Sequence, residues 1–257
     1  MNISPDTYQL VLHIMVILAA VVFVALYKIK AGYGILLNDK WGATLPNRWA
    51  WMLMEAPVFI VMCYLWVASP IRWNTVPFIF FLLFQMHYLQ RSFVFPWLIR
   101  GKNRMPILIM LMGMVFNVAN ALMQGHWIFY LAPADRYPIA WLTDIRFLLG
   151  VSLFIAGMGI NIYSDKVIRE LRAQGDAKHY LPERGLFSYV TSANYFGEIV
   201  EWLGFAILTW SYSGFVFFIW TFANLVPRAH AIYNTYLEKF GEQMENSPKK
   251  RVFPFIY

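Results

Sequence analysis

Long apolar runs separated by short polar loops organise this chain. Windows of about 20 apolar residues mark helices able to cross a hydrocarbon layer. They fall at Tyr8–Tyr27, Trp49–Ala68, Thr75–Phe95, Pro106–Gln124, Ile145–Tyr163, Tyr195–Trp210 and Phe215–Tyr233. The pattern predicts an all-α, polytopic bundle of seven transmembrane helices, with the last two runs joined by a very short turn around Ser211–Gly214. Residues 1–9 carry no basic segment of the kind that opens a signal peptide, so the first run reads as a retained span. No internal repeat or low-complexity linker interrupts the pattern, and residues 1–257 read as a single membrane domain.

Composition strengthens this reading. The chain is 60% hydrophobic, 19% aromatic and only 14% charged, outside the balance of ordinary soluble domains. Its formal charge of +7 suggests nucleic acid until the positions are examined. With seven spans, 16 of the 21 Lys and Arg fall on one side: Lys28 to Arg48, Arg100 to Arg104, Lys166 to Arg184 and Lys239 to Arg251. That asymmetry predicts an outside N-terminus and a cytosolic C-terminus, and it accounts for the charge through lipid headgroups rather than nucleic acid. Either a bacterial inner membrane or the endoplasmic reticulum satisfies it. The single cysteine, Cys63, excludes an intrachain disulfide. Nothing in the pattern predicts an oligomer.

Polar residues inside spans are costly, which makes them candidates for function. Asn194, Glu198 and Glu201 occupy one helical stripe at i, i+4 and i+7. Asn161, Asp165, Arg169 and Arg172 form another, running from the fifth span into the following loop, which carries Tyr180 and Arg184. Arg228 returns to the same side. Taken singly, Asp165 and Arg169 could be an ordinary i, i+4 pair, and Arg228 could reach the headgroups by snorkelling. Together they line one end of the bundle with amides, carboxylates and arginines. Such a lining suits an anionic nucleotide: guanidinium forks match phosphate, while carboxylates and amides match ribose hydroxyls and a carboxamide. The chain has no P-loop, and Gly157-Met158-Gly159 lacks the strand–helix setting of a dinucleotide fingerprint. It also lacks zinc-ligand spacing and a nucleophile elbow.

A second cluster lies earlier. Glu55 sits among Trp51, Met52 and Met54, and His87, Tyr88 and Arg91 lie in the third run. A carboxyl group in such surroundings favours its protonated form and can donate a hydrogen bond. With a tyrosine beside it, two donors could converge on one carbonyl oxygen and stabilise an enolate. The competing reading is a helix–helix hydrogen bond that orders the bundle. His13, His126, His179 and His230 show no partner pattern and read as interfacial or loop residues.

The stretch from Gly185-Leu186-Phe187-Ser188-Tyr189-Val190 through Asn194-Tyr195-Phe196-Gly197-Glu198-Ile199-Val200-Glu201-Trp202 closely resembles the C-terminal pattern of the steroid 5α-reductase family. Gly157-Met158-Gly159-Ile160-Asn161-Ile162 with Ser164-Asp165, Arg228-Ala229 followed by Tyr236, the closing Pro254-Phe255-Ile256-Tyr257 and the early Ala31-Gly32-Tyr33-Gly34 resemble it too. The resemblance implies a seven-helix membrane enzyme that uses NADPH to reduce the Δ4 double bond of 3-oxo-Δ4-steroids. It implies that Glu55 and Tyr88 hold the C3 carbonyl. It further implies that Tyr33, Arg91, Asn161, Asp165, Arg172, Tyr180, Asn194, Glu198, Arg228 and Tyr236 line the cofactor site; Glu201, from its place on the stripe, reads as a brace for its helix. Steroid-side residues would then fall mainly in 33–100 and cofactor-side residues in 157–257. Two departures bear on steroid preference: Met54 stands where animal members often have Gln, and Ile232 where members usually carry His. Other readings keep the fold and change the substrate, to another lipid enone, an enoyl thioester or a polyprenol. A membrane methyltransferase of the isoprenylcysteine type shares a similar bundle, but its His-Pro pair and late Arg–Glu–Glu pattern are missing here.

Overall fold

The computed structural model describes residues 3–172 and 178–257. Its long helices are α1 (Pro5–Lys28), α2 (Asn47–Ala68), α3 (Thr75–Leu89), α5 (Ile107–His126), α6 (Ile145–Glu170), α7 (Ala193–Thr209) and α8 (Tyr212–Glu245), with a short α4 (Phe95–Leu98) after α3. Among the described residues, six helical segments are long and apolar enough to cross a membrane. The seventh long helix, α7, has only 17 residues. Their outward faces carry exposed Leu10, Ile17, Val21, Val115 and Ile145, an apolar surface suited to lipid.

Several expected boundaries move, each for a local reason. Ser4 caps α1, its hydroxyl accepting from Thr7 N at 3.1 Å, so the helix begins before the apolar window. The fifth run ends hydropathically at Tyr163, yet α6 continues to Glu170 because Asn161 and Asp165 find partners on other elements. α8 outlasts its apolar run by about three turns and breaks at Gly241, where φ is 36°. At the far end of α6, Asp144 caps the helix, and its hydrogen bonds to the Arg146 side chain and backbone hold the carboxyl down at about 2.

Two π-turns follow α3 and α5. In each, the next residue but one, Pro96 or the residue after Ala132, Pro133, lacks the N–H that would continue the α ladder. Phe95 N and Ala132 N instead reach back five residues, to Gln90 O and Trp127 O. The first of these turns carries Arg91.

Three devices set the helix register. Strands β1 (Thr44–Pro46) and β2 (Arg104–Pro106) pair antiparallel directly before α2 and α5, clamping the starts of those two packed helices together. Glycines at a seven-residue spacing join α6 to α7 backbone against backbone. A Cβ at Gly157 would lie 2.3 Å from Glu201 N, and one at Gly204 would lie 2.4 Å from Phe154 N. Finally, the expected short turn between α7 and α8 is real: Trp210 adopts a left-handed φ of 44°, and Ser211 Oγ accepts from Gly214 N. Around these contacts lies an aromatic core. Trp202 on α7 packs on Phe217, Phe84 and His87, with ring centroids 4.4, 5.8 and 4.7 Å away.

Candidate active site

α2 places Glu55 in the bundle interior, 9% exposed, and α3 places Tyr88 there at 2%. The two lie within electrostatic reach of each other. Among the described residues neither forms an ion pair. Asn117 Nδ2 on α5 donates to Glu55 Oε2 at 3.1 Å and to Met54 O at 2.9 Å. Asn120 Nδ2, one turn along, donates to the Tyr88 hydroxyl at 3.0 Å. Met54 therefore offers no side-chain hydrogen bond at the site, but α5 supplies one across the helix interface.

The second cluster is ionic and lies towards the basic end. Arg91 Nη1 donates to Asp165 Oδ2 at 2.9 Å, with both side chains about nine-tenths buried. The guanidinium lies over the rings of Trp51 and Phe95, 4.8 and 4.5 Å from their centroids. Asp165 thus pairs across the bundle and not with Arg169 four residues on. Asn194 Nδ2 donates to the other oxygen of Asp165 at 3.2 Å. Asn161 Nδ2 donates to Asn194 O at 3.0 Å and to Glu198 Oε2 at 3.3 Å. The glycine contacts of α6 and α7 bring these four residues face to face.

Arg228 does not reach the headgroups. It is buried, with Nε donating to the Tyr195 hydroxyl at 2.6 Å and its terminal nitrogens to Ala31 O and Tyr33 O. Its guanidinium stacks on the Tyr33 ring, 3.3 Å from the centroid. Tyr33 in turn meets Trp51 edge to face, which ties the α1–α2 loop to both clusters. Tyr236 is buried on α8 within electrostatic reach of Arg172 and Tyr195. Arg172 stands just past the end of α6, where Nη2 meets His179 Nδ1 at 2.5 Å, and lines a cavity with Asp165, Arg169, Arg100 and Asn47. Tyr180 is a loop residue, 40% exposed.

The two clusters expected separately are therefore continuous. Arg91, one turn from Tyr88, joins the Asp165 network, and Glu55, Arg91 and Glu198 act on one another electrostatically. A second link was not visible in the sequence. His87 Nδ1 meets Glu201 Oε1 at 2.8 Å, fully buried, tying α3 to α7. Glu201 therefore braces more than its own helix. His230, which shows no partner pattern in the sequence, accepts at Nδ1 from Arg251 Nε at 2.9 Å. Asn117, Asn120 and Gln124 form an i, i+3, i+7 stripe in an apolar run, the same signal in the sequence as the Asn194–Glu201 stripe.

The donor set fits a nicotinamide dinucleotide: buried amides and carboxylates for hydroxyls and a carboxamide, with arginines at the wetter end for phosphates. Residues 103–257 match the family model described as 3-oxo-5-alpha-steroid 4-dehydrogenase. The chain is 42% identical over 246 residues to the 3-oxo-5-alpha-steroid 4-dehydrogenase 2 of Homo sapiens, covering 93% of this chain and 94% of that protein. It is 41% identical over 246 residues to the Sus scrofa protein of the same name, with the same coverage of 93% and 94%. A steroid 5-alpha-reductase of Gossypium hirsutum is 38% identical over 245 residues, 94% of each chain.

Proposed function

The chain belongs to the 3-oxo-5-alpha-steroid 4-dehydrogenase family, and we propose that it reduces the Δ4 double bond of 3-oxo-Δ4-steroids to 5α-steroids using NADPH. The observation that carries the reading is the placement of Glu55 and Tyr88. These are two buried groups able to donate hydrogen bonds, set beside an ionic network that runs out to an arginine-lined cavity. Glu55, protonated, and Tyr88 donate to the C3 carbonyl oxygen. Negative charge gathers on that oxygen as the double bond is reduced, and donors already in place stabilise it without reorganising. NADPH, when bound, supplies the hydride for C5. The resulting enolate takes its proton at C4. Phe84, Trp202 and Phe217 keep the surroundings dry, which strengthens both hydrogen bonds.

Asn161, Asp165, Asn194 and Glu198 hold the ribose and carboxamide end of the cofactor. Arg91 orients Asp165, and Arg228 with Tyr33 and Tyr236 closes the far wall. Arg172 reads the 2′-phosphate, with Tyr180 in the loop beyond it. On this reading the whole chain is one seven-helix domain, the basic end faces the cytosol where the nucleotide is dissolved, and the N-terminus lies outside. The steroid enters from the lipid.

The test is an assay of purified protein in detergent with NADPH and a panel of enones. Loss of reduced-nicotinamide absorbance with a Δ4-3-ketosteroid is expected, slowed about 100- to 1000-fold in Glu55→Gln and in Tyr88→Phe. Turnover confined to an enoyl thioester or polyprenol would move the assignment to another lipid substrate. Binding of S-adenosylmethionine without NADPH would refute it.

A further inference from the structure

We propose that Asn117, Asn120 and Gln124 on α5 are positioning residues that fix the direction in which Glu55 and Tyr88 present their protons. The inference rests on the catalytic reading of those two residues. Its basis is the order of donors and acceptors along the stripe. A backbone carbonyl can only accept, so it fixes the orientation of any side-chain amide bonded to it. Ser213 O accepts from Gln124 Nε2 at 2.9 Å, and the same nitrogen donates to Asn120 Oδ1 at 3.3 Å. Asn120 must then turn its nitrogen to the Tyr88 hydroxyl, which accepts. With its lone pair engaged there, Tyr88 directs its own proton elsewhere, and among the described residues no acceptor takes it.

Glu55 is fixed by the same logic. Met54 O accepts from Asn117 Nδ2, so the nitrogen also faces Glu55 Oε2. Of the two oxygens of a neutral Glu55 carboxyl group, Oε2 is thereby the acceptor, and the proton resides on Oε1. Two backbone carbonyls, one on α2 and one at the start of α8, thus set both catalytic protons through neutral amides. The arrangement is retained at a cost: Gln124 Oε1 is buried without a partner among the described residues.

The test replaces the direction and not the contact. Asn120→Asp presents an acceptor to Tyr88 and draws its proton away from the substrate. The expected result is a fall in kcat of about 100-fold, with the Kd for NADPH and the KM for the steroid held within about three-fold. Gln124→Met removes the anchor without adding charge and is expected to lower kcat about ten-fold. In a Tyr88→Phe background neither change lowers kcat further, because the group they orient has gone. Wild-type kcat in both variants, or losses that persist undiminished in Tyr88→Phe, would overturn the proposal. Should Asn120→Asp not fold, Gln124→Met alone decides the matter by the same criteria. Full activity in Tyr88→Phe would instead strike the catalytic reading. A Tyr88→Phe slowed about 100- to 1000-fold beside undiminished Asn120→Asp and Gln124→Met would strike only the ladder.

Discussion

The two halves of the site hold their polar groups by opposite means. Around Glu55 and Tyr88 the partners are neutral amides from α5. Around Asp165, Glu198 and Arg228 the amides of Asn161 and Asn194 are joined by a guanidinium–carboxylate pair and a tyrosine hydroxyl, from α3's π-turn, α6, α7 and α8. A neutral amide sets the direction of a proton without imposing a field, so a carboxyl group can remain protonated in an apolar interior. A fixed charge does the reverse: it stabilises an opposite charge and suits a phosphorylated ligand near water. The contrast teaches that polarity alone locates a site in a membrane protein, whereas the charge state of its partners tells which step it serves.

The largest effect is expected where the halves are joined. Glu201→Ala leaves His87 buried without its partner and should cost about 3–5 kcal/mol in reversible unfolding in detergent. Replacing the pair together, His87→Phe with Glu201→Leu, should recover most of that, since well-packed apolar groups replace buried ion pairs with little loss. A stable single variant would show that the pair does not hold α3 to α7.

Next comes the division of labour itself. Glu55→Gln and Tyr88→Phe should each lower kcat about 100- to 1000-fold while NADPH affinity stays within about two-fold. Arg228→Met should do the opposite, weakening NADPH about 100-fold with the single-turnover rate at saturation little changed. If all three variants move rate and affinity together, the comparison between the halves fails.

Smaller effects sharpen the cofactor half. Gly157→Ala forces a methyl group onto the α7 backbone and should cost about 1–3 kcal/mol in stability, with NADPH affinity falling more than steroid affinity. Equal losses for both ligands would mean that the α6–α7 contact does not serve the cofactor residues in particular. Arg172→Ala should weaken NADPH about ten-fold more than NADH, measured by competition binding, because only the former carries the 2′-phosphate. Equal weakening would place the phosphate elsewhere.

Much of this arrangement was legible from the chain, because intramembrane polarity is so expensive that each instance stands out. The stripes of Asn161–Asp165 and Asn194–Glu198 were visible as spacing, and the structure brings them together. What the spacing could not give was partnership across helices. Asp165 looks paired with Arg169 along its own helix, and only the α3 π-turn shows that Arg91 reaches it. His87 and Glu201 are separated by 114 residues, so no local pattern connects them. Hydropathy also located helices better than it located their ends. α6 and α8 run on into polar sequence because their ladders and side chains remain satisfied there. At α7 the apolar run Tyr195–Trp210 lies within two residues of the helix at each end, because Trp210 and Ser211 make a short turn there.

The central claim is that hydride reaches C5 of an enone whose C3 oxygen is held by Glu55 and Tyr88. The most direct measurement is a single turnover with nicotinamide-deuterated NADPH and a Δ4-3-ketosteroid, followed by locating the label in the product. Deuterium at C5 of a 5α-steroid, lost in the Glu55→Gln/Tyr88→Phe double variant while NADPH still binds, is the predicted result. Deuterium at C3 or C4, or undiminished labelling of C5 in the double variant, would contradict it.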